Sequence, residues 1–290
     1  FLKKAFGSYV SPELVSEILK NPDSLKLGGE KREITTLFSD IRGFTSLSEK
    51  LSPEELVAIL NEYLSPMTKI VLEEGGYLNK YIGDAIMVIC NAPVDLSDHS
   101  KKGCIIALRW VKELAKLNEK WKKEGHPSLG IGVGISTGDA VAGNMGGDLR
   151  FEYTAIGDTV NLASRLEGMN KLYGTVIIAT ESTQRLTQDY FLFRELDLVR
   201  VKGKETPVAI YELMDFLPGN AEKKELANSF AEVLSLYKGR MFEEAKSGFD
   251  AILNKFPKDG PSALYAQRCA DYLKLLPPSD WDGVYVAKTK

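Results

Sequence analysis

The sequence predicts an α+β fold of the ferredoxin-like βαββαβ class, with helices packed on a sheet and a small helical extension at the C-terminal end. Three observations favour this class: an apolar, β-branched strand over residues 34–38, a hairpin pattern around Gly83 and Asp84, and one long helical pattern on either side of that hairpin. The order strand, helix, hairpin, helix and strand is the split βαβ arrangement. Since this topology hosts many functions, the fold class alone does not define what the chain does.

The overall composition narrows the class of protein. With 290 residues the chain can bury one full core and a smaller second unit. The net charge is only −3 and both signs are mixed, so we expect no nucleic-acid partner. The 3 cysteines are far apart, which favours reduced thiols in a cytoplasmic compartment. No apolar run reaches the length of a membrane span. The first residue is Phe1 rather than Met, so we expect the chain to be a fragment of a longer protein.

Signals for helix N-termini support the predicted helices. A Ser-Pro-Glu pattern at 11–13 predicts a short helix in an N-terminal segment, residues 1–29, which from the residues alone is expected to pack on the domain edge. Ser52 and Glu55 form a capping-box pattern at the start of a long amphipathic helix. The helical pattern after the hairpin runs over 98–124.

A glycine-rich strand at 130–137 follows this helix. Its glycines suit close approach by another backbone, such as that of a partner subunit, or by a nucleotide, although bulges explain most strand glycines. The later predicted elements are a strand at 176–179, a helix at 181–187 and strands at 191–201 and 211–214. We place the central domain at residues 30–216.

Two acidic residues follow the ends of predicted strands. Asp40 comes directly after the first buried strand, and Asp84 occupies the hairpin tip. If that strand lies beside the hairpin, both carboxylates meet at one end of the sheet, an arrangement that binds one or two Mg²⁺ with substrate phosphates. Gly43 then gives a tight turn in which the amides of Phe44 and Thr45 can face an anion, so both are candidate substrate-binding residues. Taken singly, Asp40 also suits a helix cap and Asp84 an ordinary turn.

A third informative stretch, residues 151–166, contains a strand, a Gly-Asp turn and a helix. The apolar residues of this helix mark its buried side and leave Asn161 and Arg165 as neighbours one turn apart on another face. A side-chain amide beside a guanidinium can hold a ribose in place and stabilise an oxyanion. The alternative is an ordinary solvated helix face.

Together these motifs resemble the catalytic core of the class III nucleotidyl cyclases, which make cyclic AMP or cyclic GMP. The resemblance rests on Phe-Ser-Asp-Ile-Arg-Gly-Phe-Thr at 38–45, on Lys-Tyr-Ile-Gly-Asp-Ala at 80–85 and on further ordered motifs of the central domain. It implies that Asp40, Ile41 and Asp84 form a site for two Mg²⁺ or Mn²⁺ ions.

The resemblance also implies roles for five residues around the nucleotide. Asn161 corresponds to a residue that orients the ribose, and Arg165 to one that stabilises the phosphoryl transition state. Lys80 and Thr154 match the two positions that read the base, and Lys202 matches a lysine that reaches the terminal phosphates. Guanylyl cyclases usually carry Glu and Cys at the base-reading positions. Many adenylyl cyclases carry Lys and Asp, and a bacterial subgroup, some of whose members respond to bicarbonate, has Thr or Ser in place of Asp. Lys with Thr therefore favours ATP.

The expected function is that of an adenylate cyclase, converting ATP to 3′,5′-cyclic AMP and pyrophosphate by two-metal-ion catalysis. In the family, one active site takes its metal acids from one subunit and its base-reading residues from the other. A chain that carries both sets implies a homodimer with composite active sites. The resemblance further implies a cytoplasmic catalytic fragment whose upstream sensor or membrane region lies outside this sequence. Residues 1–29 would then be a helical linker that joins the upstream sensor to the catalytic domain.

The rival interpretations are a guanylate or dual-specificity cyclase and a catalytically silent nucleotide-binding regulatory module. A polymerase or diguanylate cyclase of the same fold is disfavoured, because the hairpin lacks the Gly-Gly-acidic-Phe pattern typical of those enzymes.

Residues 217–290 predict a helical extension. Apolar residues are spaced for two antiparallel helices that turn near Gly239, and a further helix is expected after Pro261. The pattern resembles one tetratricopeptide-type helical pair. Because stable arrays need about three repeats, we expect this segment to dock on the central domain or on a dimer partner.

Overall fold

The computed structural model describes Val15, Leu19 and residues 26–147, 149–200 and 206–286. Apart from Val15 and Leu19, the predicted N-terminal helix lies outside these residues, and so does Lys202. The chain forms two compact units, residues 1–167 and 168–290. The division into segments 1–29, 30–216 and 217–290 stays a prediction.

The first unit is built on an antiparallel sheet in the ferredoxin-like order. Its strands are β1 (Gly28–Ile41), β2 (Tyr77–Ile82), β3 (Ala85–Cys90), β4 (Ile131–Gly147) and β5 (Arg150–Ile156). The strand order is β2-β3-β1-β4, and every neighbouring pair is antiparallel. β5 is also antiparallel to β4 but is not part of this order. The helices are α1 (Phe44–Ser48), α2 (Pro53–Glu73), α3 (His99–Glu124) and α4 (Asp158–Tyr173), and the division between the units falls within α4. The α+β, βαββαβ prediction is confirmed.

Local signals place α2 and the hairpin where the sequence predicts them. The Ser52 hydroxyl accepts from the Glu55 amide at 3.3 Å, and the Glu55 carboxylate accepts from the Ser52 amide at 2.9 Å, which completes the capping box. Gly83 has a φ of 67°, a conformation that favours glycine, and β2 turns there directly into β3. In the core between α2 and α3, the Trp110 indole donates to the Met67 carbonyl oxygen at 3.0 Å.

The described residues of the second unit form four strands, one short helix and three longer C-terminal helices. Its elements are β6 (Ile177–Thr180), α5 (Glu181–Thr187), β7 (Phe191–Arg200), β8 (Val208–Phe216), α6 (Ala221–Lys238), α7 (Phe242–Lys255), α8 (Gly260–Lys274) and β9 (Tyr285–Val286). β8 lies between β6 and β7 and is antiparallel to both, and β9 runs parallel to β7.

The C-terminal helices pack on β7 and β8 through a buried ion-pair network. Arg194 on β7 is only 3% exposed, and its guanidinium lies 2.8 Å from the Asp259 carboxylate and 2.5 Å from the Glu212 carboxylate. Asp259 precedes α8 and also accepts from the Ser262 amide at 3.0 Å, so it caps that helix. The helical extension thus contributes one of the two carboxylates that hold a buried arginine of the sheet.

Among the described residues, no helix combines the length and the apolarity needed to cross a membrane. Cys90, Cys104 and Cys269 are buried, and no disulfide bond joins them.

Candidate active site

Asp40 and Asp84, called the acidic pair below, meet at one end of the first sheet. β1 and β3 are antiparallel neighbours up to the pair Ser39 and Ile86, so the end of β1 lies beside the hairpin tip. The backbone amide of Ile41 donates to Oδ1 of Asp40 at 3.0 Å and to Oδ2 of Asp84 at 3.2 Å. Both acids are partly buried, so the shared amide holds two carboxylates in a confined place.

The environment of the acidic pair fits a divalent cation. Burial raises the pKa of Asp84 from its ordinary 3.8 to about 6, and the neighbouring Asp40 carboxyl adds to the rise. A hard cation offsets such crowding, and carboxylate oxygens are the ligands that Mg²⁺ prefers. The described part of the chain contains no cluster of three or more His, Cys, Asp or Glu side chains suited to a metal. Further ligands would therefore come from the backbone, substrate or water.

The turn after the acidic pair leads directly into α1. Gly43 forms the N-cap of this helix with a φ of 70°, the left-handed conformation that glycine adopts most readily. Phe44 and Thr45 occupy the first turn of α1, where a helix supplies no acceptor for its own amides. The two amides predicted to meet an anion thus lie just beyond the acidic pair.

Lys80 on β2 and Thr154 on β5 lie in strands that contact each other through side chains. Asn79 makes the link, since its amide nitrogen donates to the Tyr153 carbonyl oxygen at 2.7 Å and its amide oxygen accepts from the Thr154 hydroxyl at 3.1 Å. The Lys80 ammonium lies 2.6 Å from the Glu152 carboxylate. Because side chains alternate along a strand, Glu152 and Thr154 lie on the same face of β5.

α4 presents Asn161 and Arg165 on an exposed face, while Ala163 and Leu166 are fully buried beneath it. The helix lies close against β4 at Gly134, where an added Cβ would collide with the carbonyl oxygen of Ala163. This glycine of β4 therefore serves close approach by another backbone, and that backbone belongs to the same chain.

The predicted site residues form separate groups within one chain. The acidic pair and its turn form one group, the β2–β5 contact a second, and the exposed face of α4 a third. The hydrogen bonds and ion pairs of the described residues join neither Asn161 nor Arg165 to the acidic pair. Lys202 lies outside the described residues.

Several residues that contact this region were not identified from the sequence. Glu152 stands two residues before Thr154, so strand alternation could have placed it on the same face. Asn79, directly before the candidate Lys80, carried no comparable signal. No sequence pattern connects Arg42 with Glu167, 125 residues away, although their side chains form an ion pair at 3.2 Å.

Fold and site together define a ferredoxin-like α+β domain whose carboxylate pair suits divalent cations. Comparison with known proteins narrows this class, because the model of the Adenylate and Guanylate cyclase catalytic domain matches residues 29–215. The chain belongs to the class III adenylate and guanylate cyclase catalytic domain family. The matched range ends before α6, so the tetratricopeptide-type resemblance of residues 217–290 stays a prediction.

Curated relatives share this region. Adenylate cyclase 1 of Rhizobium meliloti is 40% identical over 212 residues, which is 72% of this chain and 31% of that protein. The terminal-differentiation-specific adenylate cyclase of Dictyostelium discoideum is 36% identical over 253 residues, 84% of this chain and 12% of that protein. The chain therefore spans less than a third of the length of these relatives.

Solved structures of both substrate classes resemble the chain. The adenylyl cyclase CyaB from P. aeruginosa is 37% identical, with a TM-score of 0.60 over 65% of this chain and 97% of that one. The guanylyl cyclase Cya2 is 34% identical, with the same TM-score of 0.60 over 67% of this chain and 97% of that one.

Proposed function

We propose that this chain is an adenylate cyclase that converts ATP to 3′,5′-cyclic AMP and pyrophosphate. The observation that carries the proposal is the acidic pair at the end of a ferredoxin-like sheet, in a chain whose curated relatives bear the name adenylate cyclase. In the reaction the ribose 3′-oxygen forms a bond to the α-phosphorus while the bond to the bridging oxygen of pyrophosphate breaks. No side chain becomes covalently attached.

Asp40 and Asp84 would hold two Mg²⁺ or Mn²⁺ ions together with Ile41, the last residue of β1. When bound, such ions activate the ribose 3′-hydroxyl and neutralise charge on the phosphates. The contribution of the chain is orientation, because the Ile41 amide fixes one oxygen of each carboxylate and leaves the second oxygen for a ligand. The same amide sets the spacing of the two acids before any ligand arrives.

The remaining residues would bind and orient the nucleotide. The amides of Phe44 and Thr45 would donate to phosphate oxygens, since a helix N-terminus favours negative charge. Asn161 would orient the ribose. Arg165 would offset the charge that builds on the α-phosphate, and Lys202 the charge on the departing pyrophosphate.

The exposed position of Asn161 and Arg165 supports a site shared between two chains. The hydrogen bonds and ion pairs among the described residues do not join them to the acidic pair, which supports a second copy as the source of one of the two sets. We propose a head-to-tail homodimer in which the acidic pair of one chain works with Lys80, Thr154 and α4 of its partner, giving two equivalent sites. An upstream sensor or membrane region is part of the same proposal.

Base selection would fall to Lys80 and Thr154. A lysine only donates hydrogen bonds, whereas a threonine hydroxyl both donates and accepts, and this combination suits an adenine edge that carries an acceptor and an amino group. A guanylate cyclase is the second candidate, because the guanylyl cyclase Cya2 resembles the chain with the same TM-score as CyaB.

The test is cyclic-nucleotide production by the purified chain with Mg²⁺ or Mn²⁺, comparing ATP with GTP over a range of protein concentrations. We expect cyclic AMP, with a specific activity that rises with protein concentration as dimers form. Asp40→Asn should abolish production, whereas Asp139→Asn, at an exposed carboxylate of β4, should leave it unchanged. Cyclic GMP as the main product would favour the second candidate. No product from either nucleotide with Mn²⁺ at high protein concentration would refute cyclase activity.

A further inference from the structure

The side chain of Arg42 leaves the turn that follows the acidic pair and reaches α4. Its Nη1 lies 3.2 Å from Oε1 of Glu167, and its Nη2 donates to the Glu167 carbonyl oxygen at 3.3 Å. The Arg42 side chain is 24% exposed and that of Glu167 13%, so solvent screens the pair only in part. The Arg42 amide also donates to the Gly130 carbonyl oxygen at 2.8 Å. The side chain of Arg42 ties the turn to α4, and its backbone amide ties the turn to the residue that precedes β4.

β4 is shaped to accommodate this ion pair. At Gly132 an added Cβ would collide with Nη2 of Arg42 and with Oε1 of Glu167, so the guanidinium lies where only a glycine leaves space. A planar guanidinium can serve a carboxylate and a carbonyl oxygen at once, which the single ammonium of a lysine cannot reproduce. At the far end of the contact, the Thr159 and Ser136 hydroxyls lie 2.8 Å apart and hold the start of α4 on the same strand.

The two segments joined by Arg42 carry different parts of the proposed site. The turn holds Asp40, and α4 holds Asn161 and Arg165, the latter two residues before Glu167. In a head-to-tail dimer, the acidic pair of a chain serves one composite site while its α4 serves the other. The Arg42–Glu167 pair therefore runs, inside each chain, from one active site to the second.

On the basis of the proposed shared-site dimer, we infer that the Arg42–Glu167 pair is a positioning device that couples the two composite sites. A shift of the turn as one site fills moves Glu167, and α4 carries that shift to Arg165 in the other site. Reacting groups are sensitive to such movement, since a misplacement of about 1 Å can cost about a hundredfold in rate. Arg42 of one chain thus affects the reaction in the composite site that contains α4 of that chain, and not only the site that contains its acidic pair.

A dimer with a single working site distinguishes an effect of Arg42 through α4 from a local effect on the acidic pair beside it. Chains with Arg165→Ala are paired with chains with Asp40→Ala, so only one composite site has both sets of residues. Arg42→Gln is then added to the Asp40→Ala chain, whose acidic pair is already disabled but whose α4 serves the working site. We expect kcat for cyclic AMP to fall about tenfold or more, with little change in KM for ATP.

The matched control is Arg109→Gln in the same chain, which breaks an ion pair of α3 with Glu73 and Glu74 away from the site and should leave kcat unchanged. If Arg42→Gln lowers kcat only when placed in the Arg165→Ala chain, its effect is local to its own turn and the coupling is refuted. An unchanged kcat in both placements also refutes it. A parental dimer without Arg42→Gln that makes no cyclic AMP would instead refute the shared site.

Amide hydrogen exchange of the metal-free chain tests the link without catalysis. Arg42→Gln and Glu167→Gln should each speed exchange in 158–167, and the double variant should add little to Arg42→Gln, because that change alone removes both contacts of the guanidinium with Glu167. Unchanged exchange in α4, or fully additive effects, would show that the pair does not hold the helix.

Discussion

Replacing Asp84 by asparagine should stabilise the metal-free chain while it abolishes catalysis. The pKa of Asp84 is about 6 in the folded chain, against an ordinary value of 3.8, chiefly because the carboxyl is buried and also because Asp40 lies beside it. Above pH 6 the folded chain carries an ionised group that would ionise at less cost in the unfolded chain. An amide at this position can still accept from the Ile41 amide and adds no charge.

The size of the effect follows from the pKa. At about 1.4 kcal/mol per pKa unit, the rise to about 6 corresponds to a ceiling of roughly 3 kcal/mol. Because Asp84 is partly exposed and solvent screens part of this cost, we expect a gain of about 1–2 kcal/mol at pH 7.5. The size of the effect depends on pH: the stability lost to Asp84 is small below about pH 4, where both states are largely protonated, grows between about pH 4 and 6, and is fully present above about pH 6.

The assay is urea unfolding in EDTA at pH 4 and at pH 7.5, followed by tryptophan fluorescence in a Trp281→Phe background. The remaining tryptophans, Trp110 and Trp121, are both buried in α3, so the signal reports on the first unit. Asp139→Asn, at an exposed carboxylate, is the control and should change stability by less than about 0.5 kcal/mol. Mn²⁺ should stabilise the unsubstituted chain more than Asp84→Asn. A destabilised Asp84→Asn at pH 7.5, or an equal gain at both pH values, would refute the reasoning.

Three further variants, two single and one double, test other parts of the structure. Asp259→Ala removes one of the two carboxylates that hold buried Arg194, and should cost the second unit about 3–5 kcal/mol in denaturant unfolding monitored by hydrogen exchange. Gly134→Ala forces α4 away from β4, and should lower kcat by about a hundredfold and unfolding free energy by about 1–3 kcal/mol, measured by steady-state kinetics and urea titration. Lys80→Glu combined with Thr154→Cys should shift the ratio of kcat/KM for ATP over GTP towards GTP by at least about tenfold.

The two single variants each have a control, one of the same charge type and one on the same strand. Asp250→Ala, which removes an exposed partner of Lys246, should cost less than about 0.5 kcal/mol, and an equal cost for Asp259→Ala would contradict the buried network. Gly147→Ala, on the same strand with open space around it, should leave kcat unchanged, whereas a matching loss there would remove the helix-contact explanation. An ATP preference retained after the double exchange would show that other residues read the base.

Features with local sequence signals were the ones predicted well. The capping box of α2 needs only Ser52 and Glu55, three residues apart, and the hairpin needs only Gly83 with apolar residues on both sides. The antiparallel order of β1 to β4 followed from the sequence of elements, because the split βαβ arrangement leaves few alternatives. The meeting of Asp40 and Asp84 depended on that order alone.

Contacts between residues distant in the chain were not predictable from their types. Asn79 and Thr154 meet because β5 pairs with the far part of β4, which no local pattern indicates. Pairs of Arg and Glu are common, so the residue types alone do not identify Arg42 and Glu167 as partners. Their side chains can meet because Gly132, which has no side chain, leaves space for both. The strand glycines signalled close approach, but the element that approaches is known only from the packed structure.

The Arg194–Asp259 contact bears on how this domain can be moved between proteins. Arg194 lies inside the matched family range 29–215 and Asp259 lies outside it, so the two partners of this buried ion pair lie on opposite sides of the family boundary. A cyclase domain that ends at residue 215 and is fused to a sensor domain would keep a buried guanidinium and lose one of the two carboxylates that neutralise it. Chimaeras that carry α6 to α8 with the domain should therefore fold where shorter grafts do not.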